Sequence, residues 1–240
     1  MMRLPLSRFF GCALTVACVC AQAQQVSLKA RVEVTRNGRP SHDASNVVVW
    51  LTPVGRSAAA SDSAPQQTEI PKLIQKNKSF VPQVLVIPVG SKVEFPNHDP
   101  FFHNVFSLFE GKRFNLGLYE GGSTRFVSFD RPGISYIFCN IHPQMHAVII
   151  ALDTPYHAIS DARGEIVIAG VPPGRYSMQI FHPAASPDEL NALSHEITVA
   201  PGDSFIGTLS IAENNLTAHK NMYGHDYDPP DPQSPVYTRP

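Results

Sequence analysis

The stretch Cys139-Asn140-Ile141-His142-Pro143-Gln144-Met145 puts a thiol, an imidazole and a thioether on one short loop. A second histidine, His103, lies upstream in Asn97-His98-Asp99-Pro100-Phe101-Phe102-His103-Asn104-Val105-Phe106. His103, Cys139 and His142 with Met145 as a weak fourth donor are the ligand types of a single type 1 copper, because two imidazoles, one thiolate and a long thioether suit Cu(I) and Cu(II) almost equally. Cys139 would bind as thiolate, since the metal deprotonates it. His103 and His142 would bind as neutral imidazoles, each oriented by a hydrogen bond from its other ring nitrogen. The rival for the axial position is His146, but neighbours on a strand point to opposite faces, so only one of the two can reach the metal. The spacing of two residues after His142 favours Met145. A buried, inert thiol is the alternative for Cys139 taken alone.

The cysteine count depends on the N-terminus. Arg3 and Arg8 followed by the apolar run Phe9 to Cys20, and the small-x-small sequence Ala21-Gln22-Ala23, read as a signal peptide over residues 1–23, cleaved after Ala23. Cys12, Cys18 and Cys20 leave with it, although a lipoprotein cysteine at 18 or 20 is a second reading. Cys139 then has no disulfide partner, a hazard in an oxidising compartment unless a metal occupies it. No later segment has transmembrane length, so the expectation is an exported, periplasmic protein without membrane insertion.

Of the 240 residues, 22 are Pro, 15 are Gly and only 16% are charged. Removing Arg3 and Arg8 leaves 17 Lys+Arg against 20 Asp+Glu, a formal charge of −3. Such a balance gives no basis for nucleic acid or an anionic membrane as partner.

The elements that would hold the donors read as β throughout. Val26 to Val34 alternates apolar and polar, as a half-buried strand does. Asn37-Gly38 is a turn signal, and Val47 to Leu51 is a strand. Ser57 to Gln67 is a linker in composition. Strands follow at Val84 to Ile87, Val93 to Phe95, Phe126 to Phe129 and Ser135 to Cys139. Ala147 to Leu152 is a continuous apolar run, as a strand buried on both faces requires. Ser186-Pro187-Asp188-Glu189 starts a short helix with Leu190 and Leu193 inward, Ser186 as cap and Glu189 reaching back to it.

Phe80-x-Pro82, Val89-Gly90-x-x-Val93, Asn97-x-Asp99, His103-Asn104 and the Cys139-x2-His142-x2-Met145 loop resemble the cupredoxins, with amicyanin-like loop spacing, over residues 69–152. Cys139-Asn140-Ile141-His142 followed by Asp153-Thr154-Pro155-Tyr156 also resembles exported proteins of the "methylamine utilization protein", plastocyanin-like type. Pro143-Gln144 stands where those relatives have an acidic and an aromatic residue. The resemblance implies a Greek-key sandwich, a backbone amide of Asn104 bonded to the Cys139 sulfur, and an Asn104 side chain tying the two ligand loops. His98 lacks such a following Asn and reads as a loop residue; His42, His157, His182 and His195 are scattered singly. Phe101, Phe102 and Pro143 would form an apolar rim where a partner docks, the alternative being that both phenylalanines are core.

Ser160-Asp161 to Ile168 and Val171-Pro172-Pro173-Gly174-Arg175-Tyr176 resemble carboxypeptidase regulatory-like, prealbumin-like sandwiches. Val32-x-Val34, Gly38-x-Pro40 and Val47-x-Val49-x-Leu51 match their start. The fold class expected is therefore all-β: a cupredoxin inserted into a discontinuous prealbumin-like sandwich of residues 26–60 plus 153–213. The rival has the N-terminal strands completing the cupredoxin and an independent C-terminal domain. Residues 216–240 read as a disordered tail, within which His219-x2-Met222-x2-His225 is a weak copper-binding candidate.

These readings point to a periplasmic single-electron carrier and not an enzyme, since no His-x-His pairs for a trinuclear copper centre occur. Its partner would be a redox protein such as a c-type cytochrome or a periplasmic dehydrogenase. Copper storage or delivery, and a non-redox envelope module, are the alternatives.

Overall fold

The structure, a computed structural model, describes residues 25–55, 69–108, 110–202, 204–214 and 219–227. The expected signal peptide and the Ser57 to Gln67 linker lie outside them. In β1 (Val26–Arg36) every second residue from Val26 to Val34 is buried and the intervening ones face solvent. Asn37 and Gly38, at φ 52° and 72°, turn the chain into β2 (Arg39–Pro40), the left-handed backbone that such two-residue hairpins need. β3 (Val48–Pro53) follows.

The central stretch carries the hairpin β4 (Ile74–Lys76) and β5 (Ser79–Val81), then β6 (Val84–Pro88), β7 (Lys92–Pro96), β8 (His103–Ser107), β9 (Phe114–Tyr119), β10 (Thr124–Ser128), β11 (Gly133–Cys139) and β12 (His146–Leu152). Beyond it come β13 (His157–Ile159), β14 (Glu165–Val171), β15 (Gly174–Phe181), α1 (Pro187–Leu193), β16 (His195–Val199) and β17 (Phe205–Glu213). Among the described residues the fold is all-β apart from that one helix, and no helix is long and apolar enough to cross a membrane.

Strand pairing separates the chain ends from the middle. β14-β1-β17 form one sheet and β13-β3-β15-β16 another, while β6-β12-β11-β8-β9 and β10-β7 form two more. Buried side chains fall into three clusters between these sheets. One, with Leu28, Val49, Leu51, Ile166 and Ile180, fills the space between the first two sheets. A second, with Phe95, Val105, Ile137, Cys139, Met145 and Ile149, lies between the other two. The third joins them back to back through Val48, Trp50, Val84, Val148, Ile150, Leu152 and Phe181.

β12 shows why its sequence is apolar without alternation. Ala147, Ile149 and Ala151 enter the second cluster, whereas Val148, Ile150 and Leu152 enter the third. A strand with core on both sides has no face to leave polar.

One expectation changes. Ser186 caps α1 as expected, its Oγ accepting from the Glu189 N–H at 3.3 Å. The Glu189 carboxylate does not reach back to the cap; it accepts the Ala212 N–H at 2.6 Å, because β17 passes within reach and offers that donor. Of the tail from residue 216, only residues 219–227 are among the described ones; they lie on the loop after β11, in contact through hydrogen bonds and a ring stack that composition does not reveal.

Candidate metal centre

The site forms where β8 begins and β11 ends. These strands are antiparallel neighbours with Cys139 opposite Val105. His103 is two residues from Val105 and so shares its face, the one carrying Cys139. After Cys139 the chain makes a tight loop, closed by Met145 N–H donating to the His142 carbonyl (3.0 Å) and Cys139 N–H to the Met145 carbonyl (3.2 Å). Asn140 N–H donates to the Asn104 carbonyl at 2.9 Å and fastens the loop to β8.

The result is a compact donor set. The Nδ1 atoms of His103 and His142 each lie 3.6 Å from Cys139 Sγ. All three ligand atoms lie within 4.8 Å of one another, and all three residues are buried. The two imidazoles meet at 4.9 Å between centroids. With metal–sulfur about 2.3 Å and metal–nitrogen about 2.0 Å, a first-row ion between tetrahedral and trigonal geometry needs N···S edges of roughly 3.5–3.7 Å. The residues fit such an ion. Among the described residues no other cluster of three or more His, Cys, Asp or Glu side chains has this property.

The electrostatics prepare neutral imidazoles. Burial lowers the His103 pKa despite Asp99 beside it. Burial, with His103 and Lys78 nearby, pushes His142 down to about 4. Both rings are therefore uncharged at neutral pH. Burial raises the Cys139 thiol, while the backbone N–H groups of Asn104, Ile141 and His142 donate to the sulfur and pull the other way. Three donors aimed at one sulfur favour its anionic form once a cation shares the site.

Asp99 is the residue that sequence reasoning missed. His103 Nε2 donates to Asp99 Oδ2 at 2.9 Å, with both groups buried. A proton fixed on Nε2 leaves the Nδ1 lone pair facing the sulfur. Asp99 is itself held by the β4–β5 turn, where Asn77 and Lys78, both at φ 54°, donate their N–H groups at 2.6 and 3.0 Å. Burial works against its charge, but the Lys78 amide, His103 and the Asn77 amide outweigh that and hold the carboxyl below its usual range. The four-residue spacing from Asp99 to His103 was the available signal.

Each expected site residue has a definite place. Met145 is buried in the same cluster as Cys139. Asn104 gives the sulfur its backbone amide, but among the described residues its side-chain Oδ1, though buried, has no partner. The tie seen between the loops is the Asn104 main-chain carbonyl accepting the Asn140 N–H. Among the described residues the far nitrogen of His142 also has no partner: Nε2 is buried, with the Phe101 ring 5.5 Å from the imidazole. His98 is exposed in its loop. His146 is turned away, with Nε2 on the Gln83 side chain (3.1 Å) and Nδ1 on the Gln144 carbonyl (3.2 Å). Neither phenylalanine is core: Phe101 is half-buried against both imidazoles and Phe102 is 51% exposed.

No family model matches the chain, and no curated protein matches it. Solved structures similar to it include a purple cupredoxin from Nitrosopumilus maritimus, 24% identical over 34% of this chain and 99% of that one, at a TM-score of 0.31. A copper-containing nitrite reductase from Thermus scotoductus is 24% identical over 50% of this chain, which spans only 28% of the reductase, at a TM-score of 0.34. A reduced, Cu(I) amicyanin variant is 15% identical over 43% of this chain and 98% of that one, at 0.33. All are distant likenesses, and the nature of the site rests on its own geometry.

Proposed function

We propose that this chain is an exported, cupredoxin-type protein that binds one type 1 copper through His103, Cys139, His142 and Met145 and carries single electrons. The observation that carries the reading is the pair of 3.6 Å contacts from two buried Nδ1 atoms to one buried sulfur. Bound copper would supply a Cu(II)/Cu(I) couple. The protein's part is to keep the donors in place in both states. Asp99 fixes the orientation of His103, the two bonds closing the Cys139–Met145 loop fix His142, and burial excludes water. No proton needs to move with the electron, because both imidazoles stay neutral.

The partner on this reading is another redox protein, such as a c-type cytochrome or a periplasmic dehydrogenase, docking at Phe101, Phe102 and Pro143. Phe102 and Pro143 are exposed beside the ligand segments, and Phe101 touches both imidazoles, which supports that choice. The leader ending at Ala23 would deliver the chain to the periplasm. Residues 69–152 would be a cupredoxin inserted into a prealbumin-like sandwich, a reading supported by the pairing of β1 and β3 with β13, β14, β15 and β17 and not with the strands between.

Voltammetry of the copper-loaded protein tests the carrier role. The expected result is a reversible one-electron wave at positive potential with copper retained over repeated cycles. Release of Cu(I) to a chelator on each reduction would overturn it in favour of copper delivery.

A further inference from the structure

The ordered C-terminal segment occupies a place that electron carriage by the site does not explain. On β11, Cys139 and Ile137 face the metal-side core, so Phe138 points to the opposite face of the sheet. Tyr136 and Ile134 share the Phe138 face and pack on the cluster joining the two pairs of sheets. Phe138 lies past that cluster, beside its cross-strand neighbour Phe106, with ring centroids 5.8 Å apart. The His219 ring covers it at 4.3 Å and 31°, close to a stacked arrangement.

From there the segment reaches the ligand loop itself. The Tyr227 hydroxyl donates to the Cys139 main-chain carbonyl at 2.7 Å. The Met222 N–H donates to the Asn140 side-chain Oδ1 at 2.8 Å. His219 Nδ1 lies 3.2 Å from both the Lys220 carbonyl and the Tyr227 oxygen. The Tyr227 hydroxyl gives its proton to Cys139, which leaves its oxygen free to accept from His219 Nδ1. Two consecutive residues of the loop, the sulfur donor and its successor, are thus gripped by groups more than eighty positions away in sequence.

We propose that residues 219–227 are a strap that locks the backbone of the ligand loop, with Tyr227 and Met222 as positioning residues for Cys139 and through it for the metal. The Cys139 carbonyl sets the torsion at which the chain leaves the sulfur donor. Asn140 is the residue fastened on its other side to β8. Hydrogen bonds around a ligand control its orientation and hence the electronic properties of the ion it holds.

This inference rests on the copper reading, and its test separates the two. In full-length, metal-free protein, Tyr227→Phe removes the hydroxyl and keeps the ring, and Met222→Pro removes the N–H donor. Losing one such bond should speed amide exchange at Cys139 and Asn140 about fivefold while Ile137 and Ile149 keep the parental rate. With copper bound, both variants should shift the reduction potential and the ratio of the thiolate-to-copper absorption bands. Parental exchange at Cys139 and Asn140 in both variants overturns the strap. Faster exchange in the variants with no thiolate-to-copper band in the parent upholds the strap and overturns the copper assignment instead.

Discussion

Asp99 decides which nitrogen of His103 is free to bind. Its carboxylate takes the Nε2 proton, and the β4–β5 turn holds it there with two backbone amides. Asp99→Asn keeps the shape but removes the charge that fixes this tautomer. Metal affinity should fall about 10–100-fold with an unchanged far-UV circular dichroism spectrum, measured by competition with a chelator. Affinity within a factor of two of the parent would show that the pair is incidental. The donors themselves were legible because a thiol, an imidazole and a thioether cluster within a few residues. Asp99 was legible only as an acid four residues before His103; the turn some twenty residues upstream that folds over it is a contact no local pattern encodes.

At the scale of elements, β12 carries the most weight. It is the strand shared by two cores, with Ile149 and Ile150 both buried and facing opposite ways. Ile149→Ala and Ile150→Ala should each lower stability by about 2–5 kcal/mol in urea denaturation, since each leaves a cavity in a packed layer. A loss below 1 kcal/mol for either would mean that its side of the strand is not packed. This strand could be read from the sequence because six apolar residues in succession leave little else. β8 could not: it is five residues long and holds His103, Asn104 and Ser107, whose polarity hides a strand whose ends are buried. The contacts of residues 219–227 are not legible in the sequence, because composition averages over a segment. Its contacts with β11 and the ligand loop come from four side chains, His219, Phe138, Tyr227 and Asn140, with the Met222 amide and the Cys139 carbonyl of the main chain.

At the scale of the whole molecule, the described residues form three apolar clusters in series, with the candidate metal site in one sandwich and Trp50 in the cluster between the two. Metal removal should therefore lower the thermal midpoint yet leave the Trp50 emission maximum in place, because the joining cluster does not include the donors. A red shift on chelation would contradict that separation. The far sandwich has its own acid sensitivity. Burial outweighs Glu213 and Glu189 and keeps the His182 pKa below 6.5 in the folded protein. The unfolded chain then binds the extra proton first, so stability from this group is present above about pH 6.5 and is lost as pH falls below it. The urea midpoint of metal-free protein should drop between pH 7 and pH 5.5, and drop less in His182→Gln. Equal drops in both proteins would remove His182 as the cause.

The central claim is that one sulfur and two imidazoles share a copper ion. Visible absorption and EPR spectra of the Cu(II)-loaded mature protein, recorded beside Cys139→Ser, test it most directly. The geometry predicts an intense blue or green thiolate-to-copper band with a narrow copper hyperfine splitting, both abolished by the serine. A pale protein with the wide splitting of nitrogen- and oxygen-bound copper, or a spectrum that survives the substitution, would contradict it.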